Sequence, residues 1–156
     1  MLKMGFILVS TTVILSASWI PTFSFGENDS RNIDENFVRD DKKEVVRDIE
    51  NSKMYYDSTP STKMNFYAAW DYCQKVDHLG HKDWRVPTKN EFKSILNLGR
   101  RDITVKYAFK NVQKDIYWSS TEDRYESAWY FDVDLGRYST GDYRRNHYVI
   151  CVRDIK

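Results

Sequence analysis

Two cysteines, three prolines and six glycines in 156 residues leave this chain without several common devices. Two thiols allow a single bridge, which excludes a disulfide-dense mini-domain and any four-thiolate metal centre. So little glycine and proline excludes a collagen-like or linker-dominated polymer. Charge of one sign is also missing: 24 Lys and Arg stand against 23 Asp and Glu, for a formal net charge of +1. Binding a nucleic acid backbone needs a surplus of bases on one face, so nucleic acid is not expected as a partner. Long apolar runs are absent too. The longest, Phe6 to Ile20, is diluted by Ser10, Thr11, Thr12, Ser16 and Ser18 and falls short of the roughly 18 residues a membrane span needs.

That first segment has the composition of an export signal. Lys3 supplies a short basic region, Phe6 to Ile20 the apolar stretch, Pro21 a breaker and Ser24-Phe25-Gly26 the small residues of a cleavage site, so residues 1–26 are expected to be removed. A retained membrane anchor is the alternative; no Cys stands near the site to carry a lipid. Removal takes away Lys3 and no acid, which lowers the formal charge from +1 to 0. About 130 residues then remain, enough for one domain with one core. Export to the periplasm or beyond the cell is an oxidising destination, where two thiols pair more readily than they stay free.

Aromatics are what the chain has in quantity: five Trp, eleven Tyr and eight Phe. From Glu27 to Lys43 acids and bases alternate with Asn and Ser, and only Ile33, Phe37 and Val38 can pack, so residues 27–43 are expected to be a polar linker. The domain is then expected over 44–154. Val45, Val46 and Ile49, followed by Met54, Tyr55 and Tyr56 across Glu50-Asn51-Ser52, predict a β-hairpin. Phe66, Ala69, Trp70, Cys73 and Val76 recur at a helical period, with Asn65 as cap and Gly80 as terminator. Pro87 drives Val86 extended, and Thr88 with Glu91 forms a capping box ahead of Phe92, Ile95 and Leu96, a helix that Leu98-Gly99 should close. Residues 99–115 have weak periodicity and predict an irregular excursion. Short aromatic and β-branched runs follow at Tyr117–Thr121, Ser127–Val133 and His147–Val152, divided by Gly136 and Gly141. Helices early and strands late predict an α+β domain on a small antiparallel sheet.

Five blocks in order, Phe66 to Cys73, Gly80 to Thr88, Tyr117 to Thr121, Ala128-Trp129-Tyr130 and Cys151-Val152-Arg153, resemble the Lcl C-terminal domain family, also called DUF1566, over roughly residues 43–153. The resemblance implies a fold similar to C-type lectins and to sulfatase-modifying factors, with two helices packed on a small twisted, mostly antiparallel sheet. It implies a Cys73–Cys151 disulfide. Closing a loop of about 78 residues would stabilise by roughly 4 kcal/mol in the chain-entropy model; two buried free thiols are the alternative. It also implies sulfated glycans as a class of partner, without assigning residues. Phe66 departs from the pattern, where Trp is commoner, and keeps the aromatic role.

Chemistry-bearing residues point to binding and not to catalysis. Ser119, Ser120 and Thr121 beside Trp118 have no His or acid at an activating spacing and are expected to hydrogen-bond backbone amides. Asp132-Val133-Asp134-Leu135-Gly136 echoes a calcium loop but lacks its closing Glu, and a hairpin turn on Asp134 and Gly136 accounts for the same letters. His78 and His81 lack zinc-type neighbours. No metal and no cofactor is therefore expected. Trp70, Trp84, Trp118 and Trp129 are expected in the core, and Arg85 and Arg153 are expected to pair with carboxylates, Asp83 being one candidate. Two basic clusters remain for an anion: Arg100, Arg101, Lys106, Lys110 and Lys114, and Arg137, Arg144, Arg145 and His147, with Tyr107, Tyr138 and Tyr143 among them. Asp102, Asp115, Glu122, Asp123 and Asp142 interleave these bases, and an ordinary solvated surface explains the same letters. The expected function is a non-catalytic exported module for an anionic glycan at the cell envelope. The alternative is a structural or assembly protein that docks another envelope protein.

Overall fold

Alternating side chains divide this molecule into two hydrophobic layers with β-sheet between them. The computed structural model describes residues 34–58 and 62–156. In chain order its elements are β1 (Phe37–Asp40), β2 (Val45–Asp48), β3 (Lys53–Tyr56), α1 (Phe66–Lys75), α2 (Lys89–Ser94), β4 (Ile116–Glu122), β5 (Ser127–Asp132), β6 (Arg137–Asp142) and β7 (Cys151–Asp154). One antiparallel sheet has the order β1-β2-β3-β7 and the other β4-β5-β6. The stretch before β7 joins them, since Trp118 N–H donates to Tyr148 O and Tyr148 N–H to Ile116 O. The two-residue period of a strand sends neighbours to opposite faces. Val45, Met54, Trp118, Ala128 and Cys151 thus meet Phe66, Ala69 and Cys73 of α1 on one side. Val46, Tyr55, Tyr117, Phe131 and Val152 meet Phe92 and Ile95 with Ile103, Val105 and Phe109 on the other.

The α+β class stands, with a different arrangement of parts from that expected. There are two sheets where one was expected, and three strands precede the first helix, because β3 pairs with the C-terminal strand and β2 and β1 extend that sheet outward. The expected signal segment, residues 1–26, lies outside the described residues, as do 27–33. Residues 34–43 are not a linker. Phe37 packs against the Phe109 ring at 6.2 Å, and the Arg39 guanidinium pairs with the buried carboxylate of Asp57. An edge strand whose inward positions hold one aromatic and one paired arginine has too little apolar content to stand out by composition.

The β2–β3 hairpin forms as expected. Asp48 is fully buried and accepts from both the backbone and side-chain nitrogens of Asn51, while Ser52 takes the left-handed conformation at φ 52. Asn65 caps α1 by accepting from Ala68 N–H. That helix stops at Lys75, short of Gly80, which sits at φ 74 within the turn joining His78 to His81. The capping box of α2 is present, but the helix ends at Ser94 and Gly99 does not close it. Tertiary partners intervene: Lys106 N–H donates to Ile95 O and Asn97 N–H to Thr104 O, so the chain leaves the helix to pair with the excursion. The β5–β6 turn forms where expected, with Gly136 at φ 65, but the carboxylate that accepts from Leu135 N–H is Asp132 and not the expected Asp134; a Cβ at Gly136 would approach Leu98 and Thr104 to 3.1 Å. Gly141, expected as a divider, lies inside β6. Cys73 and Cys151 are bridged, their Cα atoms 5.5 Å apart, across 78 positions of sequence. Among the described residues no helix is long and apolar enough to cross a membrane.

Candidate functional site

The Trp-Arg-Val-Pro-Thr segment fastens the start of α2 to β7. Trp84 is buried and its Nε1 donates to His81 O at 3.1 Å. Arg85 forks onto Glu91, with Nη1 to Oε2 at 2.7 Å and Nη2 to Oε1 at 2.6 Å, while the Thr88 amide donates to the same carboxylate at 2.8 Å. Asp83 belongs instead to Arg153, which reaches it at 2.8 and 3.2 Å. Pro87 O accepts from Ser120 N–H, and Thr121 Oγ1 accepts from Lys89 N–H. Ser119 is buried and its Oγ accepts from Thr121 N–H, at a bulge in the β4–β5 pairing between Trp118 and Glu122. These groups hold backbone in register. Trp118 is fully buried, with Nε1 donating to Met64 O, whereas Trp70 and Trp129 are only half-buried.

The two basic clusters do not come together as ligand-ready surfaces. Arg100 pairs with Asp102, donates to Val105 O and Lys106 O, and lies 4.3 Å over the Tyr107 ring. Lys106 pairs with Asp34 and Lys110 with Asp41. Arg144 donates from Nε and Nη2 to Asp142. Arg101, Arg137 and Arg145 are exposed with no ion pair among the described residues. Arg137 opens β6 while Arg144 and Arg145 follow its far end. His147 is buried, packed 4.5 Å from the Trp118 ring and 5.1 Å from that of Tyr130. His78 stacks on Tyr56 at 4.2 Å. Among the described residues no three His, Cys, Asp and Glu side chains converge as a metal site requires.

A more concentrated site lies where α2 crosses the β5–β6 hairpin. Phe92 stacks on Phe131 at 4.4 Å and fixes the crossing. Trp129 and Tyr138 share that face, their ring centres 5.7 Å apart at 51°. Lys89 Nζ stands 2.9 Å from the Trp129 ring centre and 5.1 Å from that of Tyr138, with Lys93 Nζ 4.6 Å from Tyr138. The lysines lie four positions apart, hence one turn apart on one face. Neither meets a carboxylate among the described residues, so two ammonium groups stand over two half-open rings. Trp129 was expected in the core, and Lys89 and Lys93 were not singled out; their spacing behind a strong capping box was the available signal.

No curated protein matches the chain. The model of the Lcl C-terminal domain matches residues 36–153. The match begins at the residue before β1 and ends within β7, so it takes in the strand that composition alone assigned to a linker. Spanning well over half of the sequence, it bears out the resemblance carried by the five motif blocks: the chain belongs to the Lcl C-terminal domain family, DUF1566.

Proposed function

We propose that this domain is an exported, non-catalytic binding module that takes an anionic glycan on the Trp129–Tyr138 platform, between Lys89 and Lys93. The observation that carries the reading is that platform, where two rings hold two ammonium groups that meet no carboxylate among the described residues and so present their remaining N–H donors to sulfate or carboxylate. Export is supported by a disulfide, which persists in oxidising compartments. Absence of catalysis is supported by the use of both thiols in the bridge and of the Ser119 and Thr121 oxygens as backbone acceptors. The same reading assigns a C-type-lectin-like arrangement, for which the two helices and the shared sheet of β1 and β7 speak.

Retention on heparin oligosaccharides is the test. The Lys89→Ala/Lys93→Ala variant should bind about tenfold more weakly at physiological salt, since each ammonium contributes a charge-assisted contact. Arg144→Ala should bind nearly as the parent does, because Asp142 already holds Arg144. Unchanged retention of the lysine variant would sink the reading.

A further inference from the structure

On the α1 side of the molecule, away from the lysine platform, the β4–β5 turn and α1 border an open surface hollow of about 560 Å³. Its walls are Tyr67, Tyr125 and Tyr143, and its rim carries Glu122, Asp123 and Glu126 against one base, Arg124. Tyr143, nearly buried, forms the floor, stacked on Phe66 at 4.3 Å and edge-on to Tyr67 at 5.3 Å, so the exposed ring of this aromatic corner is that of Tyr67. Tyr125 is 91% exposed and Tyr67 66%. The turn is rigidly tied: Asp123 N–H donates to Ser127 O, Ser127 N–H to Arg124 O and Tyr143 N–H to Glu126 O. Elsewhere the exposed acids are largely engaged, as in Asp41, Asp83, Asp102, Asp142 and Asp154. At this rim, by contrast, Glu122, Asp123 and Glu126 form no ion pair among the described residues. The nearby Arg144 is bound to Asp142.

We infer that this hollow docks a basic segment of a protein partner, one lysine or arginine side chain lying over the Tyr67–Tyr143 corner and flanking bases on the three carboxylates. Ring faces attract ammonium and guanidinium groups, and carboxylates supply charge-assisted acceptors beside them. Three carboxylates exceed what a single ammonium headgroup uses, which favours a peptide with several bases over a choline lipid. The surface is distinct from the lysine platform and opposite in charge, so it adds a second class of partner to the glycan reading and does not depend on it.

The test titrates the full chain with a labelled hexalysine peptide while backbone amide NMR signals are followed. Saturable binding with shifts at residue 67, at 122–126 and at 143 is expected, weakened about tenfold by Tyr125→Ala/Glu126→Gln with heparin retention unchanged. Tyr67→Ala, at an exposed helical position, is an independent variant that should weaken it in the same direction. Four outcomes overturn the proposal: no binding; shifts spread over other acidic sites; phosphatidylcholine vesicles bound in preference to the peptide; or self-association mapped to the same residues.

Discussion

Glu91 serves three partners at once, and its protonation therefore reaches several elements. Burial opposes its charge, but the Arg85 fork and the Thr88 amide and hydroxyl outweigh that and hold the carboxyl down to about 2. A group with its folded pKa depressed contributes stability that is whole above the unfolded value, near 4.5, and is lost as pH falls through 2. His147 is governed by burial first, then by Arg145 and Lys63, with Asp115 opposing; its ring is pushed down to about 4. The unfolded chain takes up that proton first, so stability should decline as pH falls from about 6.5 towards 4. Denaturant melts at pH 7.5, 4.5 and 2.5 separate the two windows. His147→Gln should flatten the upper one, worth about 1–3 kcal/mol, and leave the lower unchanged. Glu91→Gln should narrow the lower one and lower stability at pH 7 by about 2 kcal/mol, because Arg85 loses its charge-assisted fork while the Gln amide oxygen can still accept from the Thr88 amide.

Element boundaries were legible where a local rule decided them and illegible where a distant partner did. Asn65, Thr88 and Glu91 announced the starts of α1 and α2, since a cap is a contact within three or four residues. The end of α2 is misplaced because Ile95 and Asn97 give their backbone to Lys106 and Thr104, a pairing no short window contains. The lysine platform was missed for the same reason: it exists only once α2 crosses β5 and β6. β1 was hidden because Arg39 faces inward towards Asp57. That carboxylate is 1% exposed and accepts from Arg39 Nη1 and from the Lys110 and Asn111 amides. Burial raises its pKa against these donors. Arg39→Met should cost about 3 kcal/mol by stranding a buried charge, and Arg39→Met/Asp57→Asn should recover part of that loss. A linker reading of residues 34–43 expects no change from Arg39→Met alone, so urea denaturation of that variant decides between them.

At the scale of the whole molecule the strands lie between two cores, and only one covalent link spans the early and late parts of the chain. Cys73 projects from α1 into the core that Val45, Trp84 and Trp118 share, while Cys151 opens the strand that completes the first sheet beside β3. The bridge closes a loop across 78 positions, and that loop contains α2, the excursion and the entire second sheet. An unfolded chain relieved of this constraint gains entropy equivalent to roughly 4 kcal/mol, a large share of the 5–15 kcal/mol typical of a domain. Cys73→Ala/Cys151→Ala should therefore still fold, since both cores are intact apart from two sulfurs, but melt about 10–20 °C lower. The loss should be uneven. The second core is held by Phe92, Tyr117 and Phe131 without help from the bridge, so amide exchange should accelerate first in α1 and β7 and last in β4 and β5. Equal acceleration in all four elements would mean that the bridge acts on the unfolded chain alone and that the two layers melt as one unit.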